Sequence, residues 1–395
     1  MNRQMLTYSN AVLTLSPGKL EIYVINPLIT MHTKILVLVL IGLTMTGCSI
    51  GPGSTEQERK RIQESKQYFD SQFHNSKRSE GFSWGKTWLV AKDYFSNRSD
   101  RTVPEAALPI RQLAESEFDL EDKQILRFAR LGHSSLLIQL GGKYFLTDPV
   151  FSQRASPVQW AGPKRFHPVP MNIDSVKQIE AVLISHNHYD HLDAGSIKQL
   201  KDKVNYFVVP LGVASKLLDW GVDAKKIIQL DWWEDVTIEG VELVFTPAQH
   251  FSGRGLTDRN ETLWGSWVIR NEEHALYFSG DSGYFAGFKE IGKRYGPFDY
   301  AFIECGAYND LWRDIHMMPE DSLQAFKDLN GKVMVPIHNG TFDLSTHSWT
   351  DPMERITKLA EKNNVTLLIP QFGQLVDSNA EVKTKAWWRL DTQQN

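Results

Sequence analysis

The segment Ala181-Val-Leu-Ile-Ser-His186-Asn-His188-Tyr-Asp190-His191-Leu-Asp193 places a His-x-His-x-Asp-His motif directly after an apolar run. The apolar run predicts a buried strand, and the residues after the motif predict the start of a helix. In an extended turn His186 and His188 point to the same side, while Asp190 and His191 can turn toward an adjacent point. Imidazole and carboxylate together suit zinc and related metals, and one tetrahedral site needs fewer ligands. The motif therefore predicts two neighbouring metal sites rather than a polar loop enriched in histidine by chance.

Three further candidate ligands follow apolar runs in the same way, namely His250, Asp281 and His338. Taken alone, each could equally be a hydrogen-bonded structural residue. As a set they favour metal ligation, because side chains at strand ends are held at fixed separations before a metal arrives.

The composition of the chain limits the functions it can have. It has 395 residues, 42% hydrophobic and 23% charged, which is enough to form a sizeable core. A formal charge of -4, without a cluster of basic and aromatic residues, argues against nucleic acid as a partner. Cys48 and Cys305 are its only cysteines, which excludes a disulfide framework and a cysteine-rich zinc module. We expect Cys305 to be a small buried residue.

From about residue 126 onward, short β-rich runs alternate with helical patterns, and Gly141-Gly142 predicts a hairpin between the first two strands. This pattern predicts layered sheets covered by helices, an α/β fold. The predicted strands are 136–140, 143–147, 181–185, 206–209, 241–245 and 275–279, and the predicted helices are 194–202, 320–330 and 352–362.

Residues 31–47 have the organisation of a bacterial signal peptide. Residues 31–34 form a short basic start, and residues 35–44 form an apolar run too short to span a membrane. Residues 45–49 resemble the lipobox, in which a cysteine is acylated, so we expect Cys48 to become a lipid-anchored N-terminus. Residues 1–30 precede a complete signal and a second methionine, which indicates an over-long gene start. The predicted organisation is a signal region at 1–47, a tether and N-terminal extension at 48–125, and the main domain at 126–395.

The chain resembles the metallo-β-lactamase fold hydrolases, and among them the N-acyl-phosphatidylethanolamine-hydrolysing phospholipase D group and its bacterial relatives. The resemblance covers roughly residues 126–373. The metal motif is common to the whole superfamily, but other matching segments are more specific to this group. They are 146–157, 162–166, 230–234, 263–267, 291–299 and 316–320.

The resemblance implies a four-layer αββα sandwich with two Zn²⁺ ions at one edge of the sheets. It assigns His186, His188 and His250 to one zinc, and Asp190, His191 and His338 to the other, with Asp281 as a bridge. A water shared by two ions 3.5–4 Å apart loses a proton at a pH of roughly 7, and this hydroxide would attack phosphorus. The expected products are phosphatidate and an N-acylethanolamine.

Catalysis is expected to depend on Asp190, Asp281 and His316. His316 matches a family position near the scissile group and would hydrogen-bond to phosphate or to the leaving oxygen, although it could equally be an exposed histidine at the start of a helix. Asp148 could accept a hydrogen bond from the imidazole of a metal ligand, or it could be a turn-forming residue before Pro149. His133 matches a segment at the pocket rim, where we expect it to hydrogen-bond to polar groups of the loop rather than to bind metal.

The sequence departs from the lipid-hydrolysing enzymes at two places near the pocket. Asn339 stands where tryptophan is expected, and the loop 306–312 lacks the expected Pro-Arg pair before Trp312. These differences concern the acyl chain and headgroup of the substrate rather than the metal centre. A hydrolase of a small soluble ester, lactone or phosphodiester is therefore the alternative function, and an envelope protein that binds zinc without turnover is a third.

The anchor and the resemblance together predict a lipoprotein of the bacterial cell envelope, held in the outer membrane and facing the periplasm. Its partners would be a phospholipid substrate and the membrane that holds Cys48, and the resemblance also suggests a homodimer. The tryptophans at 232, 233, 264 and 267 could line a groove that faces lipid, but packing in the core is the favoured interpretation.

Overall fold

The computed structural model describes residues 5–8, 11–16, 19–24, 56–76, 89, 92–93, 96–117, 123–176, 178–380 and 385–390. Residues 31–48, which hold the predicted signal peptide and the lipid anchor Cys48, lie outside this described part. The chain divides into two compact units. One consists of Met1–Cys48 with Gly255–Asp258, and the other of Ser49–Arg254 with Arg259–Asn395.

The first unit contains an antiparallel sheet of three short strands, each paired with the next along the chain. These strands lie in the segment for which the sequence indicates an over-long gene start. They are β1 (Met5–Tyr8), β2 (Ala11–Ser16) and β3 (Lys19–Val24).

The second unit is built on two large sheets. The strands of the seven-stranded sheet are β6 (Arg127–Gly132), β7 (Ser135–Leu140), β8 (Lys143–Thr147), β9 (Ile179–Leu183), β10 (Val204–Pro210), β11 (Ile227–Leu230) and β18 (Leu375–Asp377). Those of the six-stranded sheet are β12 (Asp235–Ile238), β13 (Val241–Thr246), β14 (Ser266–Arg270), β15 (Ala275–Phe278), β16 (Phe298–Glu304) and β17 (Gly331–Ile337).

Each large sheet is antiparallel on one side and parallel on the other. In the first sheet the order is β11-β10-β9-β8-β7-β6-β18, and β8 to β11 run parallel. In the second the order is β12-β13-β14-β15-β16-β17, and β15 to β17 run parallel. Since parallel strands end at the same edge, the residues that follow β8 and β9, and those that follow β15, β16 and β17, are brought together at that edge of each sheet.

The helices lie on the outer faces of the sheets. A core cluster that contains Phe128 and Phe145 from one sheet and Phe245 and Trp267 from the other fills the space between them. Two more apolar clusters pack the outer faces against helices. The predicted αββα sandwich is therefore confirmed. The helices are α2 (Ala194–Leu200) and α3 (Ala214–Asp219) on the first sheet, and α4 (Gly287–Tyr295), α5 (Pro319–Asp328) and α6 (Asp351–Lys362) on the second.

The N-terminal extension of this unit reaches the sheet edge at which the candidate ligand His250 lies. It contains α1 (Glu56–Glu64) and the short hairpin β4 (Tyr68–Phe69) and β5 (Gln72–Phe73). The amide of Asn75 donates to the backbone oxygen of His250 over 2.8 Å, and its side-chain oxygen accepts from the backbone N–H of His250 over 3.1 Å. The extension therefore holds the backbone at His250 in place.

Three of the four tryptophans belong to the core rather than to a lipid-facing surface, as the sequence favoured, and Trp233 is partly buried against that core. Trp264 and Trp267 are fully buried and Trp232 nearly so. The indole N–H of Trp267 donates to the carbonyl of Ile184 over 3.1 Å, two residues before the motif that begins at His186. Cys305 is also buried and free, as predicted.

Candidate metal centre

The candidate ligands lie at the edge where the parallel strands end. The loop after β9 carries the histidine motif, and Asp193 closes it by accepting the N–H groups of Gly195 and Ser196 at the start of α2. From the other sheet, His250 follows β13, Asp281 follows β15 and His338 follows β17. The facing edges of the two sheets therefore supply the ligands from both sides.

His186, His188 and His250, here called the first ligand group, turn one nitrogen each toward a common point. Nε2 of His186 lies 2.9 Å from Nδ1 of His188, and Nε2 of His250 lies 3.3 Å from the same atom. The opposite nitrogens are held by the protein, because Nδ1 of His186 contacts Ser185 Oγ at 2.9 Å and Nδ1 of His250 contacts the carbonyl of Ile315 at 2.9 Å. Outer contacts of this kind fix the tautomer and orientation of metal-binding imidazoles.

Asp190, His191 and His338, here called the second ligand group, converge beside the first. Oδ2 of Asp190 lies 3.3 Å from Nε2 of His338 and 3.5 Å from Nε2 of His191. Nδ1 of His191 donates to Oδ2 of Asp148 over 2.7 Å. Asp148 also accepts the backbone N–H and the hydroxyl of Ser185, so it occupies the position expected of an acceptor behind a ligand imidazole.

Asp281 faces both groups with one carboxylate oxygen. Its Oδ2 lies 3.1 Å from Nε2 of His191 and 3.1 Å from Nε2 of His338. The same atom lies 3.8 Å from Nε2 of His186 and 3.8 Å from Nε2 of His250. The structure therefore brings all seven predicted ligands together, with Asp281 between the two groups.

The electrostatics of the cluster favour a bound cation. Burial lowers the pKa of His188 to about 4, so that ligand is a neutral imidazole with a lone pair. Burial alone would lower the pKa of His338, but the carboxylates of Asp281 and Asp190 raise it to about 10. The second ligand group thus attracts positive charge to the place where a metal ion would sit.

The residues fit a metal centre in a further respect. Nε2 of His191, both ring nitrogens of His338 and Oδ1 of Asp281 are buried and have no hydrogen-bond partner within the described ranges. A buried polar atom without a partner costs roughly 1–3 kcal/mol. Coordination would satisfy the inward-facing atoms, and the donors present, five imidazoles and two carboxylates, suit zinc.

Two further residues complete the site. His133, which follows β6, is buried, and its Nε2 lies 3.0 Å from Oδ2 of Asp190. Its carbonyl accepts the N–H of His338 over 3.2 Å. His133 therefore touches two members of the second ligand group, a role that goes beyond the loop contact expected from the sequence.

Glu304 is the residue that the sequence did not single out. It ends β16, is fully buried, and hydrogen-bonds through Oε1 to Nδ1 of His316. One carboxylate oxygen of Glu304 lies close enough to ligand atoms of Asp281, His316 and His338 for the four residues to share a cation. A signal was present, because Glu304 closes an apolar strand at the same sheet edge as Asp281 and His338.

The comparisons with known proteins agree with this geometry. The model of the beta-lactamase superfamily domain matches residues 143–339. An uncharacterized protein of Mycobacterium tuberculosis is 41% identical over 297 residues, which cover 74% of this chain and 79% of the relative. The chain belongs to the β-lactamase superfamily. It is a metal-dependent hydrolase of that superfamily.

The relatives of the chain include a protein whose name describes hydrolysis of a phospholipid. The N-acyl-phosphatidylethanolamine-hydrolyzing phospholipase D 1 of Caenorhabditis elegans is 33% identical over 277 residues, 67% of this chain and 77% of that protein. Among solved structures, isothiocyanate hydrolase from Delia radicum gut bacteria has a TM-score of 0.51 at 20% identity, covering 63% of this chain and 98% of that one. This second likeness concerns the fold.

One shorter match concerns cellular location. Outer membrane protein RomA of Klebsiella pneumoniae is 49% identical over 94 residues, 24% of this chain and 70% of that protein. Within the part of this hydrolase that the structure describes, none of the helices has both the length and the apolar character needed to cross a bilayer.

Removal of metal should destabilise the protein as well as inactivate it. A ligand at about 100 times its Kd stabilises the folded state by about 2.7 kcal/mol, and two ions would double this. We therefore expect chelation to lower Tm by on the order of 5–10 °C, and added zinc to restore it. Differential scanning calorimetry of metal-loaded and chelated protein measures the change. An identical Tm in both samples would contradict the assignment of these buried groups to a metal.

Proposed function

We propose that the chain is a dinuclear zinc phosphodiesterase that hydrolyses N-acyl-phosphatidylethanolamine, or a related phospholipid, to phosphatidate and an N-acylethanolamine. The position of Oδ2 of Asp281, within 3.8 Å of ligand nitrogens from both groups, is the observation that carries the dinuclear part. The kinship with the nematode phospholipase D supports the substrate class.

The two ligand groups would each hold one ion, and Asp281 would belong to both. When bound, the ions would supply Lewis acidity, which lowers the pKa of a water and neutralises charge on the phosphate oxygens. His186, His188 and His250 would hold one ion as neutral imidazoles. Asp190, His191 and His338 would hold the other, and the Asp190 carboxylate adds the negative charge that the first group lacks.

The protein's own residues maintain this geometry. Asp148 keeps Nδ1 of His191 protonated, so Nε2 of that ring presents its lone pair inward. His133 donates to Asp190 and accepts from the backbone of His338, which limits the movement of both ligands. We assign His316 a hydrogen bond to the phosphate or to the leaving oxygen, since its side chain is 15% exposed while Glu304 behind it is fully buried.

The two positions at which the sequence departs from the lipid hydrolases have different surroundings. Asn339 is buried, and its amide donates to the carbonyls of Cys305 and Ile337 over 3.2 and 2.9 Å while its oxygen accepts from Arg130 over 3.0 Å. Its polar atoms are thus used within the fold. The loop 306–312 lines a cavity of about 580 Å³ with Tyr308, Asn309 and Leu311. Its first two residues also line the smaller cavity that Asn339 lines beside His338. We therefore assign substrate selectivity to this loop rather than to Asn339.

The activity can be tested with zinc-loaded protein and N-acyl-phosphatidylethanolamine in mixed micelles, with release of phosphatidate as the measurement. We expect turnover, and we expect Asp190→Asn to lower kcat by at least about 100-fold, because one ion would lose a charged ligand. Asp202→Asn is the matched control, since its side chain is 84% exposed and turnover should not change. Cleavage of a small phosphodiester without cleavage of the phospholipid would favour the soluble-substrate alternative instead.

We further propose that the protein is an envelope lipoprotein anchored through Cys48. The lipobox-like segment before Cys48 supports the anchor, and the relative named outer membrane protein RomA supports the envelope location. Two or three acyl chains would hold the enzyme at a membrane, since each buried CH₂ contributes about 0.8 kcal/mol. The anchor and the phospholipid would then share one surface.

Labelling with radioactive palmitate in a bacterial host tests the anchor. We expect the wild-type protein to carry the label and to sediment with the outer membrane, and Cys48→Ser to abolish both. Cys305→Ser is the matched control, because Cys305 is buried in the folded protein and should not accept a lipid. Equal labelling of wild type and Cys48→Ser would contradict the proposal.

A further inference from the structure

A buried carboxylate lies directly behind His316 at the rim of the metal centre. Oε1 of Glu304 accepts a hydrogen bond from Nδ1 of His316. Glu304 is fully buried and the His316 side chain is 15% exposed. The pair therefore runs from the interior toward the opening of the site, with the imidazole as its outer member.

The protein holds both the carboxylate and the backbone of Glu304. Oε2 of Glu304 accepts the backbone N–H of Ser282 over 2.6 Å. The backbone N–H of Glu304 donates to the hydroxyl oxygen of Ser279 over 2.8 Å. The hydroxyl of Ser322 donates to the carbonyl of Glu304 over 2.7 Å. Because Ser282 follows Asp281, one carboxylate links the orientation of His316 to the turn that carries the proposed bridging ligand.

The imidazole that Glu304 orients lies next to both ligand groups. The ring centre of His316 is 5.1 Å from that of His250 and 5.3 Å from that of His338. Its backbone N–H donates to the carbonyl of Trp312 over 3.2 Å, at the end of the loop 306–312. His316 thus stands between the metal centre and the loop to which we assign selectivity.

We propose that Glu304 is a positioning residue that holds His316 as the proton donor to the leaving oxygen, an inference that rests on the proposed function. With Nδ1–H donated to Glu304, Nε2 is the nitrogen that faces the reaction. This is the arrangement in which a carboxylate orients an imidazole and stabilises its protonated form without itself becoming protonated.

Hydrolysis consumes one water and transfers one proton to the leaving oxygen. The oxygen of a water forms a bond to phosphorus, and the water loses one proton to solvent. The bond between phosphorus and the ethanolamine oxygen breaks, and its electron pair remains on that oxygen, which takes the proton from Nε2 of His316. The imidazole regains a proton from solvent before the next turnover. An alkoxide is a poor leaving group, so this proton is needed, whereas 4-nitrophenolate can depart without it.

The leaving group therefore provides the test. We expect Glu304→Gln to lower kcat by about 100-fold for N-acyl-phosphatidylethanolamine, with little change in KM. We expect little change in kcat for bis(4-nitrophenyl) phosphate, and the same leaving-group dependence in His316→Gln. Zinc content of each variant should equal that of the wild type. An equal loss for both substrates, or a loss of zinc, would overturn the proposal and make Glu304 a structural residue or a metal ligand.

Asp299→Asn is the matched control. Asp299 lies at the other end of β16, and its Oδ2 lies 3.4 Å from Nδ1 of His274, so it is also a carboxylate paired with a histidine. This variant should retain activity on both substrates. A loss as large as that of Glu304→Gln would show that any such substitution on β16 impairs the enzyme, and would overturn the assignment.

A second measurement does not depend on turnover. Nitrogen NMR of zinc-loaded protein labelled at histidine reports which ring nitrogen of His316 is protonated, with His316→Gln used to assign the signal. In the neutral ring of His316 we expect the proton on Nδ1 in the wild type and a mixture of tautomers in Glu304→Gln. The protonated ring, which is the donor, carries a proton on both nitrogens. Identical tautomers in both would overturn the positioning role. If the wild type shows the expected tautomer but does not cleave N-acyl-phosphatidylethanolamine, the proposed function fails while the orientation by Glu304 stands.

Discussion

The contact between Asp281 and the surrounding imidazoles is the constraint on which the rest of the site depends. Asp281 comes from one sheet, and His186 and His191 come from the loop that follows a strand of the other. Buried carboxylates and imidazoles at 3.1–3.8 Å are costly without a compensating charge or hydrogen bonds. Bound metal ions would supply that charge at the place where the two sheet edges face each other.

The backbone around this centre is strained, and the strain is local. His133, Asp148 and His338 have φ values of 51°, 35° and 63°, in the left-handed region that residues other than glycine avoid. Such conformations cost on the order of 1–3 kcal/mol each and persist where surrounding contacts fix them. Here those contacts are the backbone bridge from His133 to Asn339 and the hydrogen bonds of Asp148 to Ser185. These contacts, by holding the strained conformations, fix the directions of the side chains.

Much of the fold could be predicted from the sequence because its signals are local. The spacing of apolar residues and the glycines of the turn predict the strand 143–147, the hairpin at Gly141-Gly142 and the helix 352–362. The ends of these elements in the structure agree with the prediction to within one residue. The order of strands within each sheet depends on contacts between distant segments, which no local pattern encodes. Proximity of the ligands could be inferred only because each follows a strand.

The sequence did not predict the roles of residues whose contacts are with distant parts of the chain. His133 has no motif of its own, yet it meets Asp190 across 57 positions of the chain. Glu304 reads as the polar end of a buried strand, and its partner His316 lies beyond the next loop. The sequence around Asp148 fits either a turn-forming residue or a hydrogen-bond acceptor for a ligand imidazole. Only the position of His191 in the structure distinguishes these two roles.

The proposed function depends most directly on two metal ions arranged around Asp281. Anomalous diffraction at the zinc absorption edge, from crystals of the zinc-loaded protein, locates these ions without reference to any substrate. We predict two peaks on either side of Oδ2 of Asp281, one within bonding distance of His186, His188 and His250 and the other of Asp190, His191 and His338. A single peak, or peaks away from Asp281, would contradict the central claim.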